Sequence, residues 1–283
     1  MKSQEYHSEL TCNRENIFAD DSYLSKSVLY ELKTSSLYRW RYAPKTFSGS
    51  AAADWGSMVD AELTEDDGID SICVVSPFDN FRTKDAREWK EEQAGLGKII
   101  VTQEQADQAR LAAMKIRNNK NAAELLTDCE TQVVLTSKVG DVGAKCMIDV
   151  VPVDRPYLVD IKTTNDFSPE GISKKIAQFG YNIQASWYLK IWNQENPDDQ
   201  RKRFRFVWQS SESPYEVAVT ELPGFDIAAG EEWAAFHLSR LKTATERNHW
   251  PNIFGDKVAL VGRPSWAENA DGAEMDGFQE APK

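Results

Sequence analysis

The sequence contains no run of eighteen apolar residues, so no membrane-crossing helix is expected. Its first residues, MKSQEYHSELTCNREN, lack the apolar stretch of a signal peptide. Cysteine is scarce: Cys12, Cys73, Cys129 and Cys146 are scattered, and no two make a CxxC pair. Neither a zinc ribbon nor a disulfide framework is indicated, and reduced thiols in a cytoplasmic protein are the expectation. The three histidines, His7, His237 and His249, show no ligand spacing. Positive charge is in deficit, with 33 Lys and Arg against 45 Asp and Glu and a net charge of −12. That balance argues against nucleic acid as a partner, without excluding it. Five acids against one lysine crowd the last seventeen residues, while basic residues cluster at 110–120, 174–175 and 201–205. Charges separated by more than about 8–10 Å are largely screened in physiological salt, so a local basic surface can still hold phosphates.

What is present is a globular balance, 41% hydrophobic over 283 residues, enough for one large domain or two small ones. The first 22 residues are polar and read as a loose arm, and an acidic tail is expected over 256–283. Between them, 23–45 reads as two short helices, with Ser25 placed to cap the first and Leu29 and Leu32 as an apolar pair. Residues 50–65 form a stronger helix with Trp55, Val59 and Leu63 four apart. A strand, a loop with a short helix, and a second strand follow over 71–102; residues 102–128 are helical, with Thr102 and Gln105 as a capping box. Three β runs fill 131–164. One long helix is predicted for 168–194, with Ser168 as cap and Pro169 at its first position. Two strands and a last amphipathic helix, 224–250, complete a mixed α/β core.

The stretch GAKCMIDVVPVDRPYLVDIKTT (143–164) carries charges that a structural hairpin does not need. With side chains alternating, Asp160 and Lys162 share one face with Leu158. On the preceding strand Ala144, Cys146, Ile148 and Val150 are expected to make the apolar face, with Asp149 opposite to them. A short turn at 154–156 makes the strands neighbours, so Asp149 and Asp160 meet at one end of the sheet. Two carboxylates in contact repel, and a divalent cation removes the conflict. Carboxylate oxygens suit Mg²⁺ or Mn²⁺, which keep sites for water and phosphate oxygens. A lysine beside such an ion can orient water or stabilise a transition state, so the trio suits metal-assisted phosphodiester hydrolysis. The bland alternative is an exposed ion pair worth about 0–1 kcal/mol.

Asp149 at the end of one strand, Asp-x-Lys at 160–162 and Gln-x-x-x-Tyr at Gln184 and Tyr188 on the next helix resemble the PD-(D/E)XK nucleases. The segments YLSKSVLYELKTSSLYRW and WGSMVDAEL look like the exodeoxyribonuclease VIII (RecE-type) branch, with similarity over about residues 23–250. The resemblance implies a restriction-endonuclease-like α/β core, a central mixed sheet flanked by helices, filling 23–255 as one nuclease domain. It implies a Mg²⁺-dependent exonuclease (Mn²⁺ able to substitute) of phage-recombination type. Such enzymes digest double-stranded DNA ends 5′ to 3′ and leave a 3′ single strand for an annealing protein. It also implies a homo-oligomeric ring, whose basic lumen would reconcile the net charge with the substrate, and no membrane partner. Asp149, Asp160 and the Ile161 carbonyl would hold the metal, Lys162 would position water, and Gln184 and Tyr188 would support that lysine or hold the scissile strand.

One departure stands out. The branch usually reads Gly-x-x-x-His on the helix of 50–65, whereas here Gly56 is followed four residues on by Asp60. Asp60 either ligates the cation as an oxygen donor or is a polar helix residue beside a weakened site; ligation is favoured. Two other readings stay open: a structure-specific endonuclease on the same fold, and a non-catalytic DNA-binding or assembly subunit. Ser25, Lys26 and Ser27 are candidates for a DNA phosphate, and the cluster 201–205 for the DNA backbone or mere strand-edge solubility. Trp187 and Trp192 are expected in the core. No cysteine follows Cys146, so the iron–sulfur cluster of some relatives is not expected.

Overall fold

The computed structural model describes residues 3–44, 49–255 and 257–264; the acidic tail beyond Pro264 lies outside the described residues. The segment expected as a loose arm is packed from Tyr6 onward. Tyr6, in the short helix α1 (Ser3–Ser8), is buried, and so is Ile17 in the segment that follows. Lys145 Nζ donates to the Tyr6 carbonyl at 2.9 Å, and Arg14 donates to the Ala43 carbonyl at 3.0 Å and to Glu31 at 3.2 Å.

The chain continues through β1 (Tyr23–Leu24), α2 (Lys26–Thr34), α3 (Leu37–Tyr42) and α4 (Ala51–Thr64). Ser25 stands at the N-cap of α2 but makes no side-chain capping bond, unlike Ser50, which accepts from Ala53 N at 3.2 Å to start α4. Then come β2 (Cys73–Val75), α5 (Lys84–Gly95) and β3 (Ile99–Val101); β2 and β3 pair in parallel as a small separate sheet. Helices α6 (Gln103–Asn118) and α7 (Lys120–Leu125) follow, α6 opened by the Thr102–Gln105 capping box.

The main sheet is built from β4 (Cys129–Val139), β5 (Val142–Pro152), β6 (Tyr157–Thr164), β7 (Arg203–Ser210) and β8 (Val217–Glu221), with β1 alongside β5. β4–β5–β6 is antiparallel, β6–β7 parallel and β7–β8 antiparallel, so the expected mixed sheet is formed. One face packs Ala144, Cys146, Ile148, Leu158, Phe204 and Trp208 against the helices α2, α9 (Tyr181–Glu195) and α10 (Gly224–Arg247). The other packs Val150, Val159, Ile161 and Val207 against α4, α6 and α7. Trp187 and Trp192 lie in the first of these cores, as expected.

The single helix predicted for 168–194 is two, α8 (Pro169–Phe179) and α9, divided at Gly180. Gly180 adopts φ 61° and ψ 44°, the left-handed conformation that ends helices and that only glycine takes cheaply. The break turns the carbonyls closing α8 toward α2, where a ladder of donors meets them. Lys26 Nζ donates to the Phe179 carbonyl at 2.7 Å, the Tyr30 hydroxyl to that of Gln178, and Lys33 Nζ to that of Ala177 at 3.4 Å. A Cβ at Gly180 would lie 2.8 Å from the Tyr30 ring. Gly180→Ala is therefore expected to lower stability by about 1–3 kcal/mol, read as a fall in the urea midpoint at constant m-value.

Candidate active site

The β5–β6 ladder places the two carboxylates. Its one registered pair is Val150↔Val159, and the next step of the same antiparallel register sets Asp149 opposite Asp160. The ladder stops there, and Asp149 Oδ2 accepts the Ile161 N–H at 2.9 Å in place of a strand-to-strand bond. The alternation expected along β5 also breaks at this residue. Ile148 packs in the core beside α9, whereas Val150 packs in the core beside α4, so the two do not share a face. Asp149 is thus held at the point where the strands part, not on the outer face of a regular ladder.

On β6 the alternation holds. Asp160 is buried and forms an ion pair with Lys162 Nζ through Oδ2, while its Oδ1 accepts from Gln184 Nε2 on α9. Lys162 keeps contact with solvent and its Nζ lies 3.4 Å from the Ile161 carbonyl and 5.1 Å from the Tyr181 ring. Gln184 is therefore tied to the acid rather than to the lysine, and it is too buried to touch a bound strand. Tyr188, one turn on, turns its ring to Phe204 in the main core and does not line the cleft, so the structure does not place it on a scissile strand. Burial raises its hydroxyl pKa well above the ordinary range, and Tyr6 and Asp160 nearby raise it further.

Asp60 reaches the same place from α4. Gly56, one turn earlier, lets that helix approach β6, since a Cβ there would lie 3.3 Å from Thr163 Oγ1. Asp60 Oδ2 accepts from Gln132 Nε2 on β4 at 2.7 Å, and Asp60 Oδ1 is buried without a partner. Thr64, at the end of α4, donates to the Asp60 carbonyl at 2.8 Å, and Thr131 on β4 donates to the Thr64 carbonyl at 3.2 Å.

Burial and neighbouring charge shift Asp60, Asp149 and Lys162. Burial, then the negative charge of Asp160, pushes Asp60 up to about 7 against the pull of Lys162 and the Gln132 amide. Asp149 is raised well above the ordinary carboxyl range by burial, then by Asp160 and Asp60. Burial drives the Lys162 ammonium the other way, but Asp160 and Asp149 outweigh it, and Lys162 is held firmly protonated. A site that must take up protons when empty is one that a cation would neutralise.

These residues open on a cleft of about 630 Å³ lined by Asp60, Asp149, Lys162, Trp55, Tyr181 and Lys175 among others. Among the described residues no three His, Cys, Asp or Glu side chains gather into a ready-made metal cage. That still fits Mg²⁺, which commonly uses one or two protein carboxylates and fills the remaining positions with water and substrate phosphate. All donors here are hard oxygens, and the partnerless Asp60 Oδ1 is the atom that most needs a cation or its water.

The basic clusters mostly find partners within the chain. Arg201 is buried, paired with Asp199 at 2.7 Å, bonded to the Tyr157 carbonyl at 3.0 Å and stacked on Trp192. Arg203 and Arg205 share Glu221 on β8, and β7, paired with both β6 and β8, is an interior strand, so three of the four cations of 201–205 are held by two acids of the chain. Arg110 is matched by Asp70 and Asp107, and Arg117 by Glu62. From these clusters only Lys175 lines the cleft. Lys26, a candidate phosphate contact, spends its ammonium on the Phe179 carbonyl; burial, then Lys162, lowers its pKa to about 8.

Among curated proteins none matches the chain. Among solved structures, an exonuclease candidate from Eubacterium rectale superposes with a TM-score of 0.61 at 14% identity, covering 96% of this chain and 98% of that one. A phage-related exonuclease from Haemophilus somnus 129PT gives a TM-score of 0.37 at 9% identity, over 86% of this chain and 94% of the other. An alkaline exonuclease from Laribacter hongkongensis gives 0.32 at 14% identity, over 69% and 95%. The first of these shows a shared fold. Residues 54–259 match the PDDEXK-like domain of unknown function DUF3799, a span that holds every acid and the lysine of the cleft, and the chain belongs to that PDDEXK-like family.

Proposed function

We propose that the protein is a Mg²⁺-dependent exonuclease acting on the ends of linear double-stranded DNA. The observation that carries this reading is the convergence of Asp149, Asp160 and Asp60 beside a protonated Lys162 at the wall of an open cleft. A bound divalent ion would supply a water acidic enough to yield hydroxide and would offset charge on the phosphorane. Asp149, Asp160 and the Ile161 carbonyl would hold it, and Asp60 would take it directly or through one of its waters.

The remaining chemistry falls to the chain. Asp160 anchors the Lys162 ammonium, and Gln184 fixes Asp160 from behind, so the lysine cannot swing freely. Because Lys162 is kept protonated, it serves as a donor and point charge, orienting the attacking water and stabilising negative charge on the scissile phosphate, and not as a general base. Lys175, held to Asn165 at 3.0 Å on the cleft wall, is placed to balance a flanking phosphate. Polarity, 5′ to 3′ with a 3′ single strand left for an annealing protein, rests on the sequence resemblance, as do the recombination role and the homo-oligomeric ring.

The test is digestion of linear duplex labelled at either end, with Mg²⁺, Mn²⁺ or EDTA, beside a covalently closed circle. Metal-dependent loss from 5′ ends with the circle untouched is the expected result. Cutting of the circle would replace the reading with an endonuclease. Retained DNA binding without cleavage in either metal would replace it with a non-catalytic subunit.

A further inference from the structure

Gln132 is out of place in its strand. The β4–β5 ladder pairs Thr131 with Val150 and Val133 with Ile148, which sets Gln132 level with Asp149, yet that rung is missing. Its φ is +51°, in the left-handed region. The other described non-glycine residues with positive φ are Asp128, Asp154, Tyr215 and Asn248, all outside strands, so Gln132 alone adopts it within one. Such a conformation costs a residue with a Cβ about 1–3 kcal/mol and persists only where surrounding contacts enforce it.

The side chain shows what the distortion achieves. Gln132 Nε2 donates to Asp60 Oδ2 at 2.7 Å and lies 3.4 Å from Thr64 Oγ1, crossing from the sheet to α4. That bond occupies one Asp60 oxygen and leaves the other, Oδ1, without a partner on a residue that lines the cleft. Gln132 Oε1 is likewise buried and unpartnered. The amide therefore decides which Asp60 oxygen is left free: Oδ1, on the acid that lines the cleft, is the atom that a cation or one of its waters would take.

We infer that Gln132 is a positioning residue for the cation, holding Asp60 so that its free oxygen is presented to the ion. The inference rests on the metal-dependent reading of the cleft. A purely structural alternative has Gln132 only tying β4 to α4, and the two roles separate cleanly. Glycine at 132 would release the left-handed strain while removing the amide, so Gln132→Gly should fold with a melting temperature within a few degrees of the wild type. Its affinity for Mn²⁺, read by calorimetry or by the electron-spin signal of free Mn²⁺ without DNA, should fall about 10- to 100-fold, the loss typical of removing a group that orients a ligand. In an Asp60→Asn background the same change should cost less than twofold, because the residue it orients has lost its charge.

Unchanged Mn²⁺ affinity in Gln132→Gly, beside a wild type that binds, would overturn the inference and leave the nuclease reading intact. So would an equal loss in the Asp60→Asn background. A wild type that binds no Mn²⁺ at millimolar concentration would remove the metal reading itself, and this inference with it. Gln132→Asn serves as the companion variant: asparagine tolerates the left-handed backbone, but its shorter side chain cannot reach Asp60, so it should bind Mn²⁺ as weakly as the glycine variant.

Discussion

Lys162→Ala should lower the rate of DNA hydrolysis on the order of 10³-fold while Mn²⁺ binding stays at or above the wild-type level. The rate loss follows from removing a preorganised cation from the site of developing charge, a change that costs about 10²–10³ or more in comparable sites. The metal arm follows from the ion pair: Lys162 and a divalent cation compete for Asp160, so deleting the lysine frees an oxygen for the ion. Lys162→Arg should recover little. The guanidinium is a planar fork, broader than an ammonium, and the pocket between Asp160, the Ile161 carbonyl and the Tyr181 ring is built for a compact donor. Leaving Asp160 unpaired is destabilising in itself, so the comparison is made in saturating Mg²⁺, with circular dichroism showing that each variant is folded. A Lys162→Ala enzyme retaining more than a tenth of the wild-type rate would show that the lysine is only a structural partner of Asp160.

Much of this site was legible before any coordinates because it is written in short-range periodicity. Asp160 and Lys162 are two apart in a strand and had to share a side; Gln184 and Tyr188, four apart in a helix, share a side too, but only Gln184 bonds to Asp160. Asp149 was found by the shortness of the turn at 154–156, and its place opposite Asp160 follows from the same register. What escaped the sequence is where regularity fails. The segment containing Gln132 reads as ordinary strand, and no local signal marks a left-handed glutamine whose conformation is enforced by Asp60, 72 residues earlier. The face change at Asp149 has the same origin, since parting strands are a tertiary fact. Gly180 did carry a signal, a glycine inside a helical pattern, but apolar periodicity on both sides concealed the break. For Lys26 and the 201–205 cluster the sequence left two roles open, for another reason. Cationic side chains are free in a sequence, and only the fold shows that the Phe179 carbonyl, Asp199 and Glu221 have claimed them.

The second large effect is on stability, and metal offsets it. In EDTA at pH 8, Asp60→Asn should be more stable than the wild type by on the order of 2–4 kcal/mol. A carboxyl raised from 3.8 to about 7 in the folded protein binds a proton more tightly there than in the unfolded chain. Below pH about 4 it is protonated in both states and costs nothing. As pH rises from there toward 7 the unfolded chain ionises first, so the folded state loses ground, and the full penalty is present above pH 7. Asparagine keeps an oxygen for the Gln132 amide and removes the charge, so its advantage should shrink to about 1 kcal/mol by pH 4.5. Taking the difference between the two proteins cancels His237, which burial lowers to about 4 and which acts oppositely on the wild-type curve. With Mg²⁺ added, the gap should narrow. The wild type gains roughly 2.7 kcal/mol at a hundredfold excess over its dissociation constant, while the variant, lacking one anionic oxygen donor, gains less. Asp149, raised by the same neighbours, should add to the rise in metal affinity with pH, because the ion displaces protons that the empty site holds. Thermal melts of the two proteins at four pH values, in EDTA and in Mg²⁺, would measure all of this. An Asp60→Asn protein less stable than the wild type in EDTA at pH 8 would mean that Asp60 is a stabilising polar residue of α4, and would return the cleft to two acids and a lysine.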